Sequence, residues 1–432
     1  MPTQENQQLQ DLCLSLVRAD SEADVIRILK DAGYWDNPAA WRLFGDNENN
    51  FSTIGNQQNS SDAALVEKLV NSIDAVLTDE CYGHQIHPES ADAPRSVDEA
   101  VEKFFGMGLG KISLWPDSKR KEVARRITLA VTGHKPVAKP GETKQKPCIS
   151  ITDNGEGQTP EKMPDTLLSL NKSNKLRIPF VQGKFNMGGT GALKFCGNEG
   201  IQLILSRRNP KLVSLSGGHP SDSMWGFTIV RREDAKEGRR SSTYTYLAPV
   251  DVQTRPNRGG VLRFQADSLP LFPEANIPYK RSTQWGTFIK LYEYYNSNYS
   301  NSYILLPPGL LSRLDLLLPE AALPIRLHEC RNYKGEAGSF DTTLCGLRVR
   351  LDDEAAVNIE PDYCSTCPIQ VNGEECVASI FAFKPGKAGT YRKSEGVIFI
   401  VNGQTHGSLH RNFFTRKSVG RLSYIKDDLL VH

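Results

Sequence analysis

No run of about eighteen or more apolar residues occurs in this 432-residue chain, so a membrane-spanning helix is not expected. The N-terminal residues, Met1 to Gln10, lack the basic start and apolar core of a secretory signal. Charge of one sign is not in excess. Lys and Arg number 52 against 50 Asp and Glu, and the net charge of +2 makes no case for a polyanionic partner. A second Cys-x-x-Cys pair is missing, and no histidine lies near Cys364, Cys367, Cys376 or the upstream Cys345, which disfavours a zinc site. Cys81, His84 and His87 have tolerable ligand spacing, but an exposed turn is the commoner meaning of such a cluster. Nine cysteines, odd in number and scattered, suit free thiols in a reducing cytoplasm. The Walker pattern is absent. The dinucleotide fingerprint also fails, because no strand directly precedes the glycine cluster.

What is present is ordinary in bulk: 39% apolar and 24% charged residues, in a chain long enough for two or three cores. No internal repeat is apparent. Residues 1–50 read as a helical arm, with Ser21 to Asp24 opening its second helix and Trp35 and Trp41 fastening it to something larger. A helix is expected from Ala63 to about Thr78, with Leu65, Leu69, Ile73 and Leu77 on one spacing. Helical pieces follow at Val97–Phe105 and Asp117–Val131, and a strand at Pro147–Thr152 delivers Asp153. Leu167 to Leu170 reads as a small helix. Alternation around Ile201–Leu205, Trp225–Val230, Ser242–Tyr246, Val261–Phe264 and Gly286–Tyr292 predicts an antiparallel meander.

Composition changes near residues 300–312, which sets an expected boundary between residues 51–300 and 301–432. The second part reads as a helix (Leu310–Leu318), strands (Pro324–Glu329, Leu347–Leu351, Cys376–Phe383, Gly396–Val401) and a closing helix through Arg421–Ile425. Asp427 to His432 looks like the start of a strand, as in a chain that continues.

Three segments carry chemistry. Glu67, Asn71 and Asp74 stand at i, i+4 and i+7, which puts them on one helix face. An Asn oxygen is a hard neutral ligand suited to Mg²⁺, and a Glu one turn earlier can deprotonate an attacking water. Asp153, at a strand end before Asn154-Gly155-Glu156-Gly157, can accept the exocyclic amine of adenine. Gly155 and Gly157 would let the backbone turn with positive φ beside a flat base. The cluster Gly183-Lys184-Phe185-Asn186-Met187-Gly188-Gly189-Thr190-Gly191 would present backbone N–H groups, and the start of a helix, to phosphates. Lys172, Ser173 and Lys175, between the last two segments, are placed for a lid. Each segment alone has a bland meaning: a solvated helix face, an Asn-Gly turn, a glycine-rich loop.

Together these segments resemble the three nucleotide-binding boxes of the GHKL ATPase superfamily, which includes gyrase B subunits, the ninety-kilodalton heat-shock chaperone, MutL, MORC proteins and sensor histidine kinases. The resemblance spans residues 67–191, and Gly396 to Gly403 is similar to the transducer strand found beside that ATPase. It implies an α+β fold: a Bergerat-type ATP-binding sandwich with a mixed, mostly antiparallel sheet covered by helices, followed by a transducer-like α/β domain. It implies Glu67 as catalytic base and Asn71 as metal ligand. Asp74, Asp153, Gly155, Gly157, Lys172, Ser173, Lys175 and the loop from Gly183 to Gly191 would bind ATP. A transducer lysine, Lys384 or else Lys387, would reach the terminal phosphate. Two departures stand out: Asn186 replaces a middle glycine, and the Leu77–Asp153 segment is longer than usual. Glu67 argues for hydrolysis. A histidine kinase is disfavoured because the first histidine, His84, follows the Asn71 helix. The expected activity is Mg²⁺-dependent ATP hydrolysis gating a homodimer clamp, with DNA or a protein as client; the alternative is an ATP-dependent scaffold with little turnover. Lys119–Lys121, Arg125–Arg126, Arg207–Arg208 and Arg411 to Arg421 are the basic clusters that could meet DNA, though each is more often a solvated face.

Overall fold

The computed structural model describes residues 3–58, 60–106, 111–133, 146–170, 175, 177–183, 190–215, 218, 223–235, 241–250, 259–294, 309–331 and 340–432. Among these the chain is α+β, with a large, mostly antiparallel sheet clothed by helices. The large sheet has ten strands. Its order runs Trp41–Leu43, Thr243–Leu247, Trp225–Glu233, Gln202–Arg207, Gly286–Leu291, Cys148–Asp153, Ile127–Thr132, Ile325–Glu329, Phe340–Leu344, and Leu262–Phe264 pairs off Trp225–Glu233. One pairing, Ile325–Glu329 on Ile127–Thr132, is parallel.

Successive residues of a strand face opposite sides, so one sheet can carry two cores. Ile149 and Ile151 pack under the long helix Ser61–Gly83, whose Leu65, Leu69, Ile73 and Leu77 are fully buried as their spacing predicts. Leu203, Leu205 and Phe288 point the other way, to the arm helices Gln4–Arg18 and Glu22–Asp31 and to the hairpin Leu269–Glu274 with Ile277–Thr283. The arm is fastened where expected. Ser21 caps its second helix through the Asp24 N–H, and the Arg231 guanidinium lies 3.6 Å from the Trp41 ring centre and 4.5 Å from that of Trp35.

Several local expectations are corrected. The piece Asp117–Val131 is a helix only to Ala124; Ile127–Thr132 is a strand buried along its whole length, and a short apolar run does not distinguish the two. Leu347–Leu351 is helical, part of Leu347–Asp353. Its alternation misleads because the intervening arginines are packed as well, Arg348 against Phe381 and Arg350 against Tyr391 and Asp315. Leu167 to Leu170 forms turns after a single 3₁₀ turn at Met163–Asp165. The closing helix is also absent: Gly420 and Arg421 both take positive φ, +82° and +56°, which right-handed helix cannot continue through.

The expected boundary at 301 falls in residues outside those described. Beyond it, Ile325–Glu329 and Phe340–Leu344 still belong to the large sheet. A second, five-stranded sheet is built from Ser365–Val371, Glu374–Ala382, Leu429–Val431, Glu395–Val401 and Gln404–His410. The helix Leu310–Leu317 lies between the two, sending Leu310 and Leu314 into the large core and Leu316 into the small one. No helix among the described residues is long and apolar enough to cross a membrane.

Candidate functional site

Between the long helix and the sheet opens a cleft of about 190 Å³. Asn71, Ser72, Asp74, Ala75 and Thr78 line it from the helix; Asp153, Gln202, Ile204, Thr287 and Ile289 line it from the sheet; Lys175 and Thr190 close it from the connecting segments. Asn71, Asp74 and Asp153 of the sequence pattern therefore share one cavity, whereas the acid Glu67 is not in its lining.

Asp153 sits at its floor, 4% exposed. Its carboxylate accepts hydrogen bonds from the Ser72 hydroxyl at 2.9 Å and the Gly155 N–H at 3.0 Å. Burial nevertheless outweighs these donors and raises its pKa to about 6. Ser72 comes from the helix face that carries Lys68 and Ala75, so helix and strand are joined at this carboxylate. The loop after Asp153 is pinned by Asn154 N–H to Arg126 O and Glu156 N–H to Ala75 O. Of its glycines, Gly157 turns with the positive φ expected and Gly155 does not. A side chain at Gly157 would strike the Arg207 carbonyl, and the missing side chain of Gly155 makes room for the backbone of Ala75.

At the other side of the helix, Asp74 is fully buried and accepts from Gln182 N–H at 2.8 Å, Gly183 N–H at 3.1 Å and the Lys175 ammonium at 2.9 Å. The same ammonium donates to Asn71 Oδ1 at 2.9 Å. Desolvation pushes the Asp74 pKa up, opposed by Lys175 and the two backbone donors. Glu67 is half-buried beside this group and does not line the cleft. Its pKa is raised by burial and by Asp74 and lowered by Lys175. Gly183 brings the backbone close: a Cβ there would lie 3.0 Å from Asp74 Oδ2.

The remaining expected residues fare differently. Thr190 lines the cleft and donates to Gln57. Gly191 follows in a turn, and the segment continues as one 3₁₀ turn, Leu193–Phe195, rather than the α-helix expected to point its positive end at phosphates. Lys172, Ser173, Lys184, Phe185, Asn186, Met187, Gly188 and Gly189 lie outside the described residues. Lys384 donates to the Ala356 carbonyl at 2.8 Å, and Lys387 is exposed; neither lines the cleft. Two of the basic clusters are structural in part. Arg207 is buried and donates to four backbone carbonyls, while Arg126 pairs with Asp79 and Glu80.

Sequence reasoning missed Thr287, which stands opposite Asp153 in the neighbouring strand and shares a hydrogen bond with the Ser206 hydroxyl. It also missed Lys68 and Gln202. Their signal was invisible locally, since each is an unremarkable polar residue until the fold brings it to the cleft. Among the described residues, no group of three or more His, Cys, Asp or Glu side chains is arranged to hold a metal ion. That statement does not reach Asn71, whose side-chain acceptor is an amide oxygen. No family model and no curated protein matches the chain.

Proposed function

We propose that the cleft binds ATP with Mg²⁺ in a Bergerat-type site and that the chain hydrolyses it. The observation that carries this reading is the single cavity shared by Asn71, Asp74 and Lys175 at one end and Asp153 with Thr287 at the other. Asp153 would accept the adenine amine, its other contacts holding it in place. Asn71 Oδ1 and Asp74 Oδ2 are hard oxygens that already share one cation, the Lys175 ammonium, so the donor set fits magnesium. Magnesium, when bound, supplies neutralisation of phosphate charge. Lys175, freed from the oxygens, would pair with the phosphates. Glu67 would take the proton of the attacking water, and its raised pKa brings a carboxylate closer to the range useful for that task. The five-stranded sheet would act as a transducer, and nucleotide state would control dimerisation of two copies, with DNA or a protein as client in the cytoplasm.

The test is titration with Mg²⁺-ATP alongside phosphate release. Wild type should bind and turn over, and Glu67→Ala should bind with turnover lost. Normal turnover in that variant would remove Glu67 from its role. Column size with a non-hydrolysable analogue tests the clamp, and an unchanged monomer counts against it. One observation favours the low-turnover scaffold instead: Glu67 stands beside the cleft rather than in its lining. Bound ATP without phosphate release would select that reading.

A further inference from the structure

Lys68 lies one helical turn before Ser72 and three residues before Asn71, on the wall of the cleft. It is only 5% exposed, yet its ammonium has no hydrogen-bond or ion-pair partner among the described residues. Gln202 lines the same cavity at 3% exposure, and its Oε1 is buried with no partner. A carbonyl buried without a partner, and an ammonium that meets only the cavity on an otherwise buried side chain, are each costly, and native structures rarely keep them without a use. Burial lowers the Lys68 pKa to about 8, as expected where no counterion stands by. The nearby Cys196 thiol gives none, because its own burial holds it protonated well above the usual thiol range.

The sheet register measures the distance from this pair to the cleft floor. Thr287, beside Asp153, pairs with Ser206, whereas Gln202 pairs with Leu291 four residues along. At roughly 3.4 Å per residue, that separates Gln202 from the Asp153 level by about 14 Å. An extended nucleoside with a short phosphate chain has that kind of reach. It also carries the two groups required, anionic oxygens for Lys68 and hydroxyls for Gln202.

We propose that Lys68 is a ligand-contact residue whose ammonium binds a phosphate oxygen of the nucleotide, with Gln202 Oε1 accepting from a hydroxyl of the same molecule. This rests on the nucleotide reading given above. The experiment is calorimetric titration of the full chain with Mg²⁺-ATP and, separately, with adenosine, in wild type, Lys68→Met and Lys68→Arg, with melting of each ligand-free protein. Lys68→Met should weaken ATP at least tenfold and adenosine less than twofold, melt no lower than wild type, and be partly restored by Lys68→Arg. Equal ATP affinity in wild type and Lys68→Met would overturn the assignment while leaving the nucleotide site intact. Equal loss of ATP and adenosine, or a lower melting point in Lys68→Met that Lys68→Arg repairs without regaining ATP, would make Lys68 a packing residue and also overturn it. A wild-type protein that binds neither compound would instead bring down the nucleotide reading, and this assignment with it.

Discussion

Asp74 and Lys68 belong to the same helix and are both buried, but their surroundings differ. Asp74 accepts hydrogen bonds from three donors, one of them the ammonium of Lys175, whereas Lys68 meets none. The Asp74 end of the cleft is complete without any ligand, and on the proposed reading a metal and phosphates would have to open it. The inner end is incomplete and carries an electrostatic cost until something fills it. A single helix thus holds one region that stabilises the empty fold and another whose polar groups are left without partners in it. Mutations at the two ends should therefore move stability and binding in different combinations.

The largest effect expected is at Asp74. Replacement by Ala strands two backbone N–H groups and leaves the half-buried Lys175 ammonium only Asn71 Oδ1, and a loss of about 3 kcal/mol in urea unfolding should follow. A loss below about 1 kcal/mol would erase the contrast between the two ends. Next comes pH. The folded pKa of Asp153 is raised from 3.8 to about 6, so between these values the native state holds more protons than the unfolded chain. Its contribution therefore favours folding below about pH 4 and is lost as pH rises through 6, on the order of 2–3 kcal/mol in total. Nucleotide affinity should move oppositely, since the ionised carboxylate accepts the adenine amine more strongly than the protonated acid: binding should weaken, by up to roughly tenfold per unit, below about pH 6. Titrations at pH 5 and 7, with Asp153→Asn as the variant lacking this group, check both signs.

Asp153→Asn should itself lose ATP at least tenfold without unfolding. The Ser72 hydroxyl can turn to accept from the new amide while Gly155 N–H keeps its acceptor. Gly403→Ala should cost about 2 kcal/mol by melting, because Gly403 has φ +77° and its Cβ would lie 2.2 Å from the Glu320 carbonyl oxygen. The smallest effect is expected at Lys384→Ala. Its ammonium is spent on the Ala356 carbonyl, so ATP affinity should stay within about twofold; a lost turnover would show that the second sheet brings this lysine into the site.

The helix bearing Asn71 and the strand delivering Asp153 were legible in the sequence because their signals are local: a four-residue apolar spacing, and an apolar run ending in a carboxylate. Thr287 and Gln202 were not, since what matters about them is register across the sheet. Lys68 reads as a solvated helix position, but this helix is buried on nearly every side and Lys68 faces the cleft. The hairpin Leu269–Glu274 with Ile277–Thr283 was missed because prolines at 270, 273 and 278 and exposed polar residues break its alternation. Ser365–Val371 escaped for a related reason: it is exposed on both faces and so has no period to read.

Gln182 ties two distant parts of the chain into one lever. Its N–H donates to Asp74, and its side chain bonds the Glu320 and Asn402 carbonyls and the Ala322 N–H. Asn402 and Gly403 form the turn between two strands of the small sheet. A displacement of residue 182 that releases Asp74 would strain its bond to Asn402 in that turn and the two to Glu320 and Ala322. The small sheet is therefore tied to the helix through one residue, which anchors the Asp74 carboxylate and the turn at 402–403 together.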